Sequence, residues 1–211
     1  MRGRDPWRDA VAHLRADHPR WGPLIERVGP CTLRPRKDRL AILVRAIVGQ
    51  QISARAASTI WARMLTAVGD PLDPGAYLAL GEPGIRAVGL SGVKARYVLN
   101  LAGAIADGSL PIKRIGRLPD REIVERLMTV KGVGVWTAEM FLIFALNRPD
   151  VLPVGDLGIR VGIRTHYGLD ALPSPAQCRE LTASWRPHRT VAMWYLWREI
   201  DGQSASRSPV S

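Results

Sequence analysis

Cysteine is nearly missing from this chain: Cys31 and Cys178 are the only two among 211 residues. They lie far apart, have no metal-ligand spacing, and nothing in the sequence pairs them. A reducing cytoplasm is therefore the expected compartment. Long hydrophobic runs are missing too. No stretch approaches the roughly 18 uninterrupted apolar residues of a membrane span. The opening Met1-Arg2-Gly3-Arg4-Asp5 is basic but lacks the apolar run of a secretory signal. Strict apolar–polar alternation is nearly absent, which argues against a β-sheet protein; only a short extended piece around Cys31-Thr32-Leu33 is left open. Acid is scarce, with 19 Asp+Glu against 30 Lys+Arg, a net charge of +11 and a pI near 10.7. That balance favours a polyanionic partner, because phosphate contacts release counterions, although an arginine-preferring composition has the same effect. A dense basic block is also missing. The charge is spread along helices, as on a folded binding face.

What is present is helix punctuated by turns. The chain is 46% hydrophobic, enough for a substantial core, and 16 prolines and 20 glycines separate most segments. Apolar spacing predicts a helix over 6–18 with Trp7, Ala10, Val11 and Leu14 inward, and a short one carrying Leu24, Ile25 and Val28. A strongly apolar helix covers 38–48. Ser53 is a good N-cap for a helix over 54–68. A short helix lies in the turn-rich passage 71–81, another helix covers 97–106, and 110–118 is a linker exposing Lys113, Arg114 and Arg117. Helices follow over 120–128, 136–146, 157–165, 175–184 and 187–200. The Ser-rich tail from 202 to 211 is expected to be disordered. The fold class is all-α, in two helical lobes. One spans 38–150; the other joins 1–37 to 151–201.

The most informative stretch is Met128-Thr129-Val130-Lys131-Gly132-Val133-Gly134-Val135-Trp136-Thr137-Ala138. Ile123, Val124, Leu127 and Met128 before it mark one helix face, and the segment after it is too apolar for a surface helix. Two glycines between helices permit a tight turn and a close approach by a partner. The second helix opens with unpaired N–H groups, an anion site, and Lys131 sits in the same turn. A helix–hairpin–helix of this kind grips a phosphate without reading a base; a plain αα-hairpin with a glycine cap has the same pattern. The run Gly84-Ile85-Arg86-Ala87-Val88-Gly89-Leu90-Ser91-Gly92-Val93-Lys94-Ala95-Arg96 echoes it, either as a second phosphate-facing turn or as a glycine-packed helix pair. Gln50 and Gln51 are adjacent amides in an apolar setting and need partners if buried. Asp156, after Leu152-Pro153-Val154-Gly155, reads as an N-cap.

Val130-Lys131-Gly132-Val133-Gly134-Val135-Trp136-Thr137-Ala138, followed by Leu152-Pro153-Val154-Gly155-Asp156, resembles the helix-hairpin-helix (HhH-GPD) DNA glycosylases, and within them the AlkA-type 3-methyladenine DNA glycosylase II branch. The resemblance covers about 38–200. It implies a two-lobed fold with the active site in the cleft between lobes, and a monomer that acts on double-stranded DNA, cytoplasmic and, in a bacterium, nucleoid-associated. It implies that Asp156 is catalytic and that Gln50 lines the base pocket with Trp136. Gln51 would be the wedge filling the gap left by an extruded nucleotide. Lys131, Gly132, Val133, Gly134 and Thr137 would meet the DNA backbone. Met140 and His188 stand where the AlkA type often presents aromatic pocket walls. The backbone carbonyls of Met128, Val130 and Val133 would hold a Na+ or K+ ion once DNA is bound. Trp136 occupies the place of the nucleophilic lysine of strand-nicking relatives, which implies base release without strand cleavage. Two cysteines are too few for the four-cysteine iron–sulfur cluster of those relatives, and no other cofactor is required. The expected activity is hydrolytic excision of 3-methyladenine and 7-methylguanine, extending to etheno or deaminated purines. A DNA-binding module without catalysis and a glycosylase/lyase are the rival readings.

Overall fold

The computed structural model describes residues 6–206. No strand occurs among them, and the piece around Cys31 is irregular coil. The helices are α1 (Arg8–Asp17), α2 (Trp21–Val28), α3 (Arg39–Gly49), α4 (Ala54–Val68), α5 (Pro74–Ala87), α6 (Gly92–Ala106), α7 (Asp120–Met128), α8 (Val135–Met140), α9 (Leu157–Tyr167), α10 (Pro175–Leu181) and α11 (Arg189–Ser206). No described helix is long and apolar enough to cross a membrane. The chain divides into two compact units. One is built from the chain up to Arg34 and from Asn147 onward, the other from Pro35–Leu146.

In the Pro35–Leu146 unit, α3 is the central helix. Leu40, Ala41, Ile42, Leu43, Val44, Ala46, Ile47 and Val48 are all buried, which leaves Arg45 as its exposed position. A helix apolar nearly all round must be surrounded, and α4, α6 and α8 pack against it. Ser53 caps α4 as its side chain predicts, accepting from the Ala56 N–H at 3.3 Å. The expected continuous helix over 136–146 is interrupted: α8 passes into a π-helical turn at Phe141–Ala145. There the Leu146 N–H reaches back five residues to the Phe141 carbonyl at 3.2 Å. Such widened turns admit one extra residue within a helix. Asn147, at φ 58, then ends the element; Asn tolerates the left-handed region better than most side chains.

In the other unit α11 is central. Val191, Ala192, Met193, Tyr195 and Leu196 are fully buried, and α1, α2 and α9 pack on it. The Tyr195 hydroxyl donates to the Gly29 carbonyl at 3.0 Å, and the Trp7 indole N–H donates to the Leu33 carbonyl at 3.0 Å. The first ties the end of α2 to α11, and the second ties the start of α1 to the coil after α2. α11 runs on to Ser206, so 202–206 are helical where the sequence suggested a disordered tail; 207–211 lie outside the described residues. Once nucleated, a helix gains one bond for each residue added, and polar composition alone does not stop it.

Trp21, Trp185, Tyr167 and His166 form an aromatic knot under α9, with Tyr167 stacked on Trp185 at 5.9 Å between ring centroids. His166 is 3% exposed. Burial, with the charges of His18 and Arg20, lowers its pKa to about 4. The unfolded chain therefore takes up this proton first. Its contribution to stability is complete above the unfolded value near 6.5 and is lost as pH falls from there towards about 4. Urea unfolding at pH 7 and at pH 4.5 should show a loss, attributable to His166, of about 2–3 kcal/mol. In His166→Phe that part of the pH dependence should vanish; an unchanged dependence would assign it elsewhere.

Candidate functional site

The two hairpin glycines have different structural roles. The Val130 N–H donates to Leu127 O at 3.2 Å and the Val133 N–H to Val130 O at 3.0 Å, which closes the turn after α7. Gly132 has φ +106, and a Cβ there would lie 2.2 Å from the Tyr97 ring carbon Cγ. It is the seat on which Tyr97 of α6 packs. Gly134 has φ −98, and a Cβ there would meet nothing within 4 Å. It lies on open surface as the N-cap of α8. Lys131 and Val135 are exposed beside it, and no side chain caps α8.

Gln50 is half-buried at the end of α3, and both amide hydrogens are used. Nε2 donates to the Gly132 carbonyl at 3.1 Å and to the Thr137 hydroxyl at 3.1 Å. The glutamine thus ties α3 to the hairpin. Thr137 is 1% exposed. Its hydroxyl accepts from Gln50, so the side chain supports the hairpin from inside and only its backbone N–H, in the first turn of α8, is left to meet DNA. Gln51 is exposed at φ 54. Trp136 is half-buried with its ring edge over Gly49, whose Cβ position lies 3.9 Å from the indole. Met140 is 6% exposed and belongs to the core. Lys94 does not face outward: its ammonium donates to Val48 O at 2.9 Å and Gln50 O at 2.6 Å, and burial lowers its pKa. Arg96 pairs with Glu82 at 3.3 Å. Lys94 and Arg96 of the earlier glycine-rich run are therefore engaged within the unit, while Arg86 of the same run is exposed.

In the other unit, Asp156 is the N-cap of α9, accepting from the Ile159 N–H at 3.0 Å. It is half-buried, between exposed Gly155 and Leu157, the latter 62% exposed. Gly158 leaves it room; a Cβ there would come within 3.0 Å of Oδ1. The loop leading to Asp156 is anchored by residues that the sequence did not single out. Arg189 grips the Asp150 carboxylate at 2.5 and 2.9 Å and the Asp150 carbonyl at 3.0 Å. The Thr190 hydroxyl donates to Arg148 O at 2.6 Å and accepts from the Val151 N–H at 3.0 Å. His188, next to this anchor, contacts His13 edge-on at 5.2 Å. Burial, and then the neighbouring His13, lower its pKa, opposed by Asp150 and Asp9.

Residues 44–188 match the HhH-GPD superfamily of base excision DNA repair proteins. The chain belongs to this superfamily. It is similar to DNA-3-methyladenine glycosylase 1 of Schizosaccharomyces pombe, at 35% identity over 90% of this chain and 86% of that one. It is also similar to the alkylbase DNA glycosidase-like protein mag2 of the same yeast, at 30% identity over 91% of this chain and 93% of that one. The structure of the S. pombe 3-methyladenine DNA glycosylase Mag1 in complex with abasic DNA superposes with a TM-score of 0.84 at 33% identity, over 92% of this chain and 97% of that one. In this HhH-GPD chain no group of three or more His, Cys, Asp or Glu that could hold a metal occurs among the described residues. Cys31 and Cys178 are both free and buried.

The packing separates the glycines experimentally. Gly132→Ala should lose about 2–4 kcal/mol in chemical unfolding, from overpacking against Tyr97 and the left-handed φ. Gly134→Ala should stay within about 0.5 kcal/mol of the parent. Equal costs at the two sites would contradict the geometry.

Proposed function

We propose that the protein is a monofunctional DNA glycosylase that flips an alkylated base, 3-methyladenine or 7-methylguanine first of all, out of double-stranded DNA and hydrolyses its glycosidic bond. The observation that carries the reading is Asp156: a carboxylate fixed by the Ile159 N–H at 3.0 Å, half-buried, at the end of an anchored loop. Cleavage of an N-glycosidic bond builds positive charge on the deoxyribose. A fixed carboxylate stabilises that charge, strongly so where water is excluded, and can orient the attacking water or accept its proton. A ring-alkylated purine already carries a positive charge and leaves without a general acid. One carboxylate therefore suffices, in contrast to the pair used on ordinary glycosides.

The other site residues take compatible roles. The hairpin of Lys131, Gly132, Val133 and Gly134 grips a phosphate through backbone N–H groups and the ammonium. Exposed Gln51 enters the stack where the nucleotide has left. Trp136 offers its face to a cationic base, worth roughly 0.5–2 kcal/mol. Met140, four residues on and so on the same helix face, supports it from the core side. Gln50 contributes its side-chain Oε1 to the base pocket, its amide hydrogens being committed to Gly132 and Thr137. His188 flanks the base. No lysine stands at position 136 to form a Schiff base, so the strand stays intact. The chemistry calls for no cofactor or iron–sulfur cluster. The carbonyls of Met128, Val130 and Val133 lie at a helix C-terminus and the turn after it, where backbone oxygens lack helical partners. Such hard neutral donors suit Na+ or K+, which would bridge the hairpin to a DNA phosphate.

Asp156→Asn keeps an oxygen to accept from Ile159, so it should fold and bind DNA. It should release 3-methyladenine at least about 100-fold more slowly than the parent, read by chromatography of bases freed from methylated DNA. Borohydride should trap no covalent product with the parent protein. Near-parental release by the mutant would remove Asp156 from the mechanism, and a trapped adduct would replace this reading with a glycosylase/lyase.

A further inference from the structure

We propose that Lys94 is a positioning residue that holds the Gln50–Gln51 turn in the shape in which Gln51 enters the duplex; the inference rests on the glycosylase reading above. The Gln50 side chain ties the first half of the turn to the hairpin, but its Gln51 half has little else to define it. Gln50 at φ −54, ψ 128 followed by Gln51 at φ 54 is a type II turn in outline, and its second position favours glycine. A glutamine there is strained, and both Gln51 and Ile52 are exposed, Ile52 by 39%. Burial of the tip therefore does little to offset the strain.

The missing restraint comes from α6. The Lys94 ammonium donates to Val48 O at 2.9 Å and Gln50 O at 2.6 Å, carbonyls on either side of Gly49 at the C-terminal end of α3. A cation is favourable at that end of a helix, and it satisfies oxygens with no helical partner. Lys94 is itself fixed, because its N–H is capped by Ser91 at 3.3 Å. Three residues on, Tyr97 packs on Gly132, and three further on Asn100 donates to Lys131 O at 3.3 Å. One face of α6 therefore supports both the turn carrying Gln51 and the phosphate-gripping hairpin. An ammonium so committed is not a phosphate contact. Its loss should harm the step that needs the inserted side chain rather than DNA affinity at large.

That step can be isolated by changing what lies opposite the damaged base. In a fully paired duplex the flipped state leaves a gap that the wedge must fill. Opposite an abasic position the lesion is already unpaired and extrudes at lower cost. Single-turnover release of 7-methylguanine should fall about 10- to 100-fold in Lys94→Met on the paired duplex, the range expected for losing charged hydrogen bonds. On the lesion opposite the abasic position the rate should stay within about threefold of the parent. Gln51→Ala should show the same selectivity, and Lys94→Met added to it should change the paired-duplex rate little further, because both remove one function. Lys94→Gln, neutral but still a donor, should give a smaller loss with the same selectivity, and serves if Lys94→Met does not fold. Equal losses on both duplexes, no loss on either, or multiplicative losses in the double variant would each overturn the proposal. Failure of the parent protein to release the base from either duplex would instead overturn the glycosylase reading.

Discussion

The proposed chemistry rests on one hydrogen bond of 3.0 Å, from the Ile159 N–H to the Asp156 carboxylate. A helix N-terminus favours negative charge close to it, and the bond orients the carboxylate there. Those are the two properties that a group facing a developing sugar cation must have. Position follows from the surroundings. Gly158 leaves the oxygen its space, and the Asp150–Arg189 pair with Thr190 clamps the preceding loop to the start of α11. The core of this unit, centred on α11, thus anchors the loop that ends at Asp156.

The Pro35–Leu146 unit holds the hairpin and the Gln50–Gln51 turn, which the proposed reading sets against DNA. Its means are buried polar bonds placed at helix ends. Gln50 spends its amide on Gly132 and Thr137, Tyr97 fills the space that Gly132 leaves, and Lys94 satisfies the end of α3. Each support costs desolvation and returns a fixed geometry. Ordering done during folding does not have to be done again when the duplex is bent and a nucleotide extruded.

Local signals were legible in the sequence, and partners distant in the chain were not. Ser53, the helix it caps, the hairpin between α7 and α8 and the capping aspartate were readable, because caps, glycines and apolar spacing act within a few residues. The bonds of Gln50 span 82 and 87 residues, and the Asp150–Arg189 pair spans 39. No local pattern announces either. The same blindness hid the partner of the Thr137 side chain, which in the fold is Gln50. It also left open whether Lys94 met phosphate or protein. The π-turn at Phe141–Ala145 had no signal in the apolar spacing, which reads the same through a widened turn.

The central claim is that Asp156 acts through its charge on a sugar that becomes cationic. The most direct measurement compares the affinities of two duplexes, one holding a protonated pyrrolidine ring in place of the deoxyribose of the damaged nucleotide, the other a neutral tetrahydrofuran ring of the same size. A site complementary to the cationic transition state binds the charged ring more tightly, by about 100-fold at fixed salt if the carboxylate supplies a stabilisation of the usual oxyanion-hole size. The account predicts that this preference is present in the parent protein and absent in Asp156→Asn. Equal affinity for the two rings, or a preference that survives the substitution, would contradict it.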